Sequence, residues 1–160
     1  MSSKTSIAAL LQDLDRRSPA GLAIALHIRF TRPIYLFQTY PKRWIDHYSS
    51  TGMVVYDPLV RWGLQNVGRI RWSDLEDIDV RGVLEQAKDF GLMNGVCLAL
   101  VESGSRTIAG FARADRDYDE AEVDEIEEGL SLLHAATLGF GQLDDDDKQA
   151  LTDLSIRLTR

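Results

Sequence analysis

The sequence predicts an α+β fold, an α/β/α sandwich in which a central antiparallel sheet carries helices on both faces. Three observations predict it. Apolar residues recur at helical spacing in several separate segments. Two pairs of β-rich stretches are each joined by a turn too short for a parallel crossover, so each pair reads as an antiparallel hairpin. Helices and hairpins alternate along one chain of 160 residues, 44% of them hydrophobic. That length suits one domain and buries roughly two thirds of the surface its unfolded form exposes, enough for a core without staples. The lone Cys97 agrees, having no partner for a bridge or a zinc site.

Ile7, Leu10, Leu11 and Leu14 mark an amphipathic helix that ends before Ser18-Pro19. Leu22 to Phe30 and Ile34 to Tyr40 are the strands of a first hairpin about Thr31-Arg32-Pro33. Pro41 suits a helical first turn, which predicts a helix over 41–50 closed by Gly52. Asp57 is the N-cap candidate of a helix that starts at Pro58 and runs to about Asn66. Ser73 and Glu76 form a capping box before a longer helix with Val80, Val83, Leu84 and Ala87 on its apolar stripe, stopped at Gly91. Val96 to Val101 and Thr107 to Ala114 make a second hairpin about Ser103-Gly104-Ser105. Asp119 and Glu122 cap a last helix whose stripe is Val123, Ile126, Leu130 and Leu133.

The net charge of −7 is unevenly placed. Residues 1–116 carry 15 basic and 12 acidic residues, whereas 117–147 carry 12 acids and no Lys or Arg. No basic stripe with interleaved aromatics exists, which argues against nucleic-acid binding by this chain alone. The run Asp144 to Asp147 reads as a solvated helix start or linker rather than a metal site. The N-terminus lacks a long apolar h-region and no stretch approaches the roughly 18 apolar residues of a membrane span. The expectation is a cytoplasmic protein with no membrane partner. His27, His47 and His134 lie on three separate elements, and there is no nucleophile elbow, P-loop, dinucleotide fingerprint or metal-spaced set. Cys97 sits in an apolar strand, where a thiol behaves as a small hydrophobe. The sequence therefore reads as a non-enzyme without a cofactor.

The functional signal is the spacing Tyr40-x3-Trp44-x3-Tyr48-x8-Asp57-Pro58-x13-Trp72. Residues four apart share a helical face, so Tyr40, Trp44 and Tyr48 form an aromatic wall. Such stripes are usually core, but Tyr and Trp carry polar tips, and Asp57 is an acid among apolar neighbours, where a carboxylate needs partners.

These residues, followed by Phe90-Gly91-x3-Gly95-Val96, resemble the autoinducer-binding domain of LuxR-type quorum-sensing regulators, and the resemblance covers Leu22 to about His134. It implies the same α/β/α sandwich and an N-acyl homoserine lactone bound between the sheet and one helical layer. By that resemblance Trp44 donates its indole N–H to the lactone carbonyl, Asp57 accepts from the ligand amide and Tyr48 lines the acyl side. Tyr40 lies near the amide carbonyl, Trp72 packs on the lactone ring, and Gly95 is structural. Leu26, Ile28, Leu36, Phe37, Leu98, Leu100 and Phe111 are candidates for the acyl surface, and alternation alone does not label which face they share. The sequence departs from the family at Ala99, where a proline commonly follows, and near Ala112, where a Ser or Thr hydroxyl is often found. The resemblance further implies a homodimer, with DNA reached only through a C-terminal domain absent from this chain. Residues 1–142 are read as the ligand-binding domain and 143–160 as a linker or the opening of a helix-turn-helix domain. The alternative is a stand-alone signal-sequestering or protein-interaction module of the same fold, for which the acidic helix after Asp119 offers a surface.

Overall fold

The computed structural model describes residues 3–30, 32–139 and 145. The predicted division at 142/143 and the apolar helix read over 143–160 lie outside the described residues, apart from Asp145. Helices α1 (Ser3–Arg16), α2 (Lys42–Ser50), α3 (Pro58–Gln65), α4 (Val83–Lys88) and α5 (Glu120–Thr137) surround strands β1 (Gly21–Arg29), β2 (Arg32–Gln38), β3 (Gly68–Arg71), β4 (Asn94–Glu102) and β5 (Ser105–Arg113). The strands form one antiparallel sheet in the order β2-β1-β5-β4-β3. This is the predicted fold class, with helices on both faces.

Strand alternation sorts the sheet's side chains into two cores. On one face, Leu22, Ile24, Leu26, Phe37, Val96, Leu98, Leu100 and Phe111 pack under Ile7, Leu11 and Leu14 of α1 and Val123, Ile126, Leu130 and Leu133 of α5. Gly129 permits the close crossing of these helices, since a Cβ there would stand 3.1 Å from Leu14. On the other face, Cys97, Ala99, Ile108 and Ala112 meet Tyr40, Trp44, Met53, Trp72, Leu75, Val83, Leu84 and Ala87. The sheet residues on this second face are smaller, and that difference leaves room between the layers.

Three expectations are corrected. β2 begins at Arg32 rather than Ile34, with Pro33 paired to Ile28; β2 is an edge strand, where a missing N–H is tolerated. The single long helix after Ser73 is instead a 3₁₀ segment over Trp72–Ile78 followed by the short α4, because Gly82 takes φ +64° between them. Asp79, not Ser73, caps α4 by accepting from the Val83 and Leu84 N–H groups, and Val80 is exposed. β3 is an addition: four residues, two of them arginine, carry too little apolar pattern to be read as a strand. By contrast, Asp119 and Glu122 cap α5 reciprocally as predicted.

A one-residue bulge in β1 between Ala25 and Ile28 turns His27 into the layer beneath α5. Its ring nitrogens meet the Ser105 and Thr137 hydroxyls at 2.7 and 2.8 Å, and its ring lies 4.4 Å from that of His134. His134 in turn meets the Thr107 hydroxyl and the Glu102 carbonyl. Burial, with His134 and Arg29 nearby, pulls the His27 pKa down to about 4. These histidines tie α5 to the sheet on the face away from the cavity.

Candidate functional site

Between the sheet and the α2–α4 layer lies a cavity of about 790 Å³. All five sequence-predicted site residues, Tyr40, Trp44, Tyr48, Asp57 and Trp72, line it. α2 presents Trp44 and Tyr48 four residues apart on one face, their rings 5.8 Å between centroids. The Trp44 ring also sits 5.3 Å from Phe90, which anchors it to the segment after α4. Tyr40 precedes the helix, because Pro41 is the N-cap and α2 starts at Lys42.

Asp57 is fixed by the start of α3. Its Oδ1 accepts from the Leu59 N–H at 2.8 Å as the helix N-cap, and its Oδ2 accepts from the Tyr48 hydroxyl at 2.7 Å. Burial raises the Asp57 pKa, opposed by the Tyr48 hydroxyl and the Leu59 and Val60 N–H groups. The same burial, with Asp57 beside them, pushes the Tyr48 and Tyr40 phenols up, so both stay protonated donors. Each carboxylate oxygen holds two acceptor sites, so the Tyr48 and Leu59 bonds leave Asp57 able to take a further donor from the cavity.

Trp72 closes this end of the cavity. Its ring covers Gly95, where a Cβ would stand 2.3 Å from the indole, and its buried Nε1–H has no hydrogen-bond partner among the described residues. The sequence pointed to Gly95 as structural, and the close approach supplies the reason. Gly110 was missed. A Cβ there would meet Leu59 at 2.9 Å and the Tyr40 hydroxyl at 3.0 Å, so its missing side chain is cavity volume. Ala112, the strand position singled out in the sequence, is buried on the same face but does not line the cavity. Gly63 likewise lets α3 lie against Ile108, its Cβ position 2.5 Å from that side chain.

The acyl-surface candidates divide. Ile28 and Leu36 line the cavity, whereas Leu26, Phe37, Leu98, Leu100 and Phe111 belong to the opposite core. Alternation split the set, and only the packing of the helices shows which half faces the cavity. The smaller Ala23 and Ala25, with Ile108, complete the sheet wall, and Leu59, Leu64, Leu84 and Leu92 come from the helical layer. Cys97 is buried, its thiol pushed up by burial, which keeps it neutral beside the Leu59 carbonyl. Among the described residues no group of His, Cys, Asp and Glu could hold a metal ion. No helix there is long and apolar enough to cross a membrane.

The family described as "Autoinducer binding domain" matches residues 25–140. Among curated relatives, the quorum-sensing regulator RhlR of Pseudomonas aeruginosa is 30% identical over 101 residues, which cover 62% of this chain and 42% of that protein. The transcriptional activator LuxR of Aliivibrio fischeri is 26% identical over 57% of this chain and 38% of its own length. The activator AhyR of Aeromonas hydrophila is 27% identical over 82% and 56%. The chain thus matches little more than half, or less, of these relatives. Among solved structures, SdiA in complex with octanoyl-rac-glycerol superposes with a TM-score of 0.65 at 17% identity, over 93% of this chain and 68% of that one. The LuxR-family factor CepR2 of Burkholderia cenocepacia, titled as N-acylhomoserine lactone dependent, gives 0.57 at 15% identity, over 86% and 95%. At these identities the structural matches speak for the fold.

Proposed function

The chain belongs to the autoinducer-binding domain family of LuxR-type quorum-sensing regulators, and from that premise we propose that its cavity binds an N-acyl homoserine lactone and couples binding to folding, dimerisation and DNA-binding output. The observation that carries this reading is Asp57, a carboxylate in a largely apolar wall whose partners are a phenol and main-chain N–H groups rather than a cation. A ligand amide N–H supplies the additional donor that such an acceptor favours. Trp44 donates its indole N–H to the lactone carbonyl, Tyr40 reaches the amide carbonyl, and Tyr48 holds Asp57 while lining the start of the acyl chain. Trp72 packs on the lactone ring. The chain of the ligand then runs along Ala25, Ile28, Leu36 and Ile108, which ask only for apolar surface.

Nothing in this arrangement positions a nucleophile or a general base against the lactone carbonyl, and the reading is of a receptor. Its output requires a DNA-binding domain and a second copy of the chain, both proposed from the family. The protein should be expressed with and without a panel of acyl homoserine lactones, purified, and extracted for mass spectrometry. Recovery of intact lactone at near one equivalent, with soluble yield rising in its presence, is the expected outcome. Recovery of ring-opened product would mark catalysis, and no retained lactone from any member of the panel would count against the reading.

A further inference from the structure

Cavity residues follow a strict order along the sheet. Gly110 pairs with Ala23, which pairs with Gln38; Ile108 pairs with Ala25, which pairs with Leu36; and Arg106 pairs with Ile28, which pairs with Pro33. The first row lies beside Tyr40 and Trp72, so the third is the far end. Gly110 and Arg106 stand four positions apart on β5, a distance on the order of 13 Å. α3 runs the same way, with Arg61 one turn and Gln65 two turns beyond Asp57, and its end is fastened there by Arg106 donating to the Gly63 and Asn66 carbonyls.

The far end is not apolar throughout. Arg32, Arg61 and Gln65 line the cavity together with apolar Leu36 and Leu64. Both residues are exposed, and among the described residues neither makes an ion pair. Arg29 stands directly opposite Arg32 in the ladder, a like-charge pairing that costs stability unless an anion offsets it. Yet the chain carries 25 acids against 18 bases. Those acids hold Arg16, Arg17, Arg69, Arg71, Arg113 and Arg116, and among the described residues the one carboxylate lining the cavity, Asp57, starts α3 one turn before Arg61 and makes no ion pair with it.

We propose that this end selects ligands whose acyl chain ends in a carboxylate, received by Arg32 and Arg61 after an apolar stretch. The inference rests on the acyl-lactone reading of the cavity and names the chemistry of the ligand's far end. Guanidinium is suited to it, because its planar fork takes a carboxylate in two parallel bonds, and the exposure of both residues spares the carboxylate full desolvation.

The probes are two acyl homoserine lactones of equal chain length, one ending in methyl and one in carboxylate, titrated calorimetrically at low and high salt. The carboxylate-ended ligand should bind about tenfold tighter at low salt, and the advantage should shrink as salt screens the exposed charges. In Arg32→Gln/Arg61→Gln, whose positions are exposed and whose fold is checked by its melting curve, the affinity ratio should fall to about one. A methyl-ended ligand that binds as well or better, or a double variant that keeps the preference, overturns the inference while leaving the acyl-lactone reading intact. If neither probe binds, that reading fails and this inference falls with it.

Discussion

Asp57 serves the fold and the site with the same two oxygens, one capping α3 and the other held by Tyr48. That double use makes Asp57→Asn the informative change, because asparagine caps a helix about as well as aspartate while losing the charge. Hydrogen bonds to a charged group contribute roughly 1.5–3 kcal/mol, so the variant should weaken lactone binding on the order of ten- to a hundredfold with little change in apo stability. Calorimetric titration of the folded variant checks this, and unchanged affinity would take Asp57 out of the site. Trp44→Phe removes an N–H donor but keeps most of a ring that packs on Phe90 and Tyr48. It should weaken the lactone several-fold and leave the apo melting temperature nearly unchanged. Wild-type affinity would reduce the indole to packing. These residues were legible in the sequence because their spacing and their polar tips are local properties. Gly110 was not, because what its missing side chain does depends on Leu59 and Tyr40 arriving from distant parts of the chain.

At the scale of elements, the caps at Asp57 and Asp119 were readable, their side chains accepting from N–H groups two and three residues on, whereas Ser73 with Glu76 has the same spacing as Asp119 and makes no cap. Asp119→Ala opens the reciprocal cap of α5 and should cost about 1 kcal/mol, a fall of roughly 2–4 °C in melting temperature for a domain of this size. The helix after Ser73 was misread because two signals competed: an apolar stripe that suggested continuity and Gly82, whose left-handed turn ends it. The tie between β1 and α5 gives a pH dependence of defined sign. His27 holds a folded pKa near 4 against an ordinary 6.5, so the folded state resists a proton that the unfolded chain accepts. Stability from this source is complete above about pH 6.5 and is lost as pH falls toward 4. Glu122 and Asp115, with pKa values lowered to about 2 by Arg116 and Arg113, lose their contribution only below the ordinary carboxylate range. Between pH 7 and 5 the melting temperature should therefore fall, and His27→Gln should flatten that fall. An equal slope in the variant would place the sensitivity elsewhere.

Across the whole molecule, the unequal filling of the two faces of the sheet creates the cavity. Leu, Ile and Phe fill the face under α1 and α5, while Ala23, Ala25, Ala99, Gly110 and Ala112 leave the other face shallow. The period of two told which residues share a face, but only the packed helices identify the face that stays open. An apolar cavity without occupant forgoes contacts along its lining, so an occupant that binds only the folded chain stabilises the whole sandwich. The most direct test is the melting temperature of the protein against increasing concentrations of acyl homoserine lactones of graded chain length. At a hundredfold excess over Kd the fitting lactone should add about 2.7 kcal/mol, a rise of several degrees, with chain lengths ranking by their fit to the cavity. Melting curves that stay flat across short and long chains, with and without oxo groups and with either chain ending, would contradict the account.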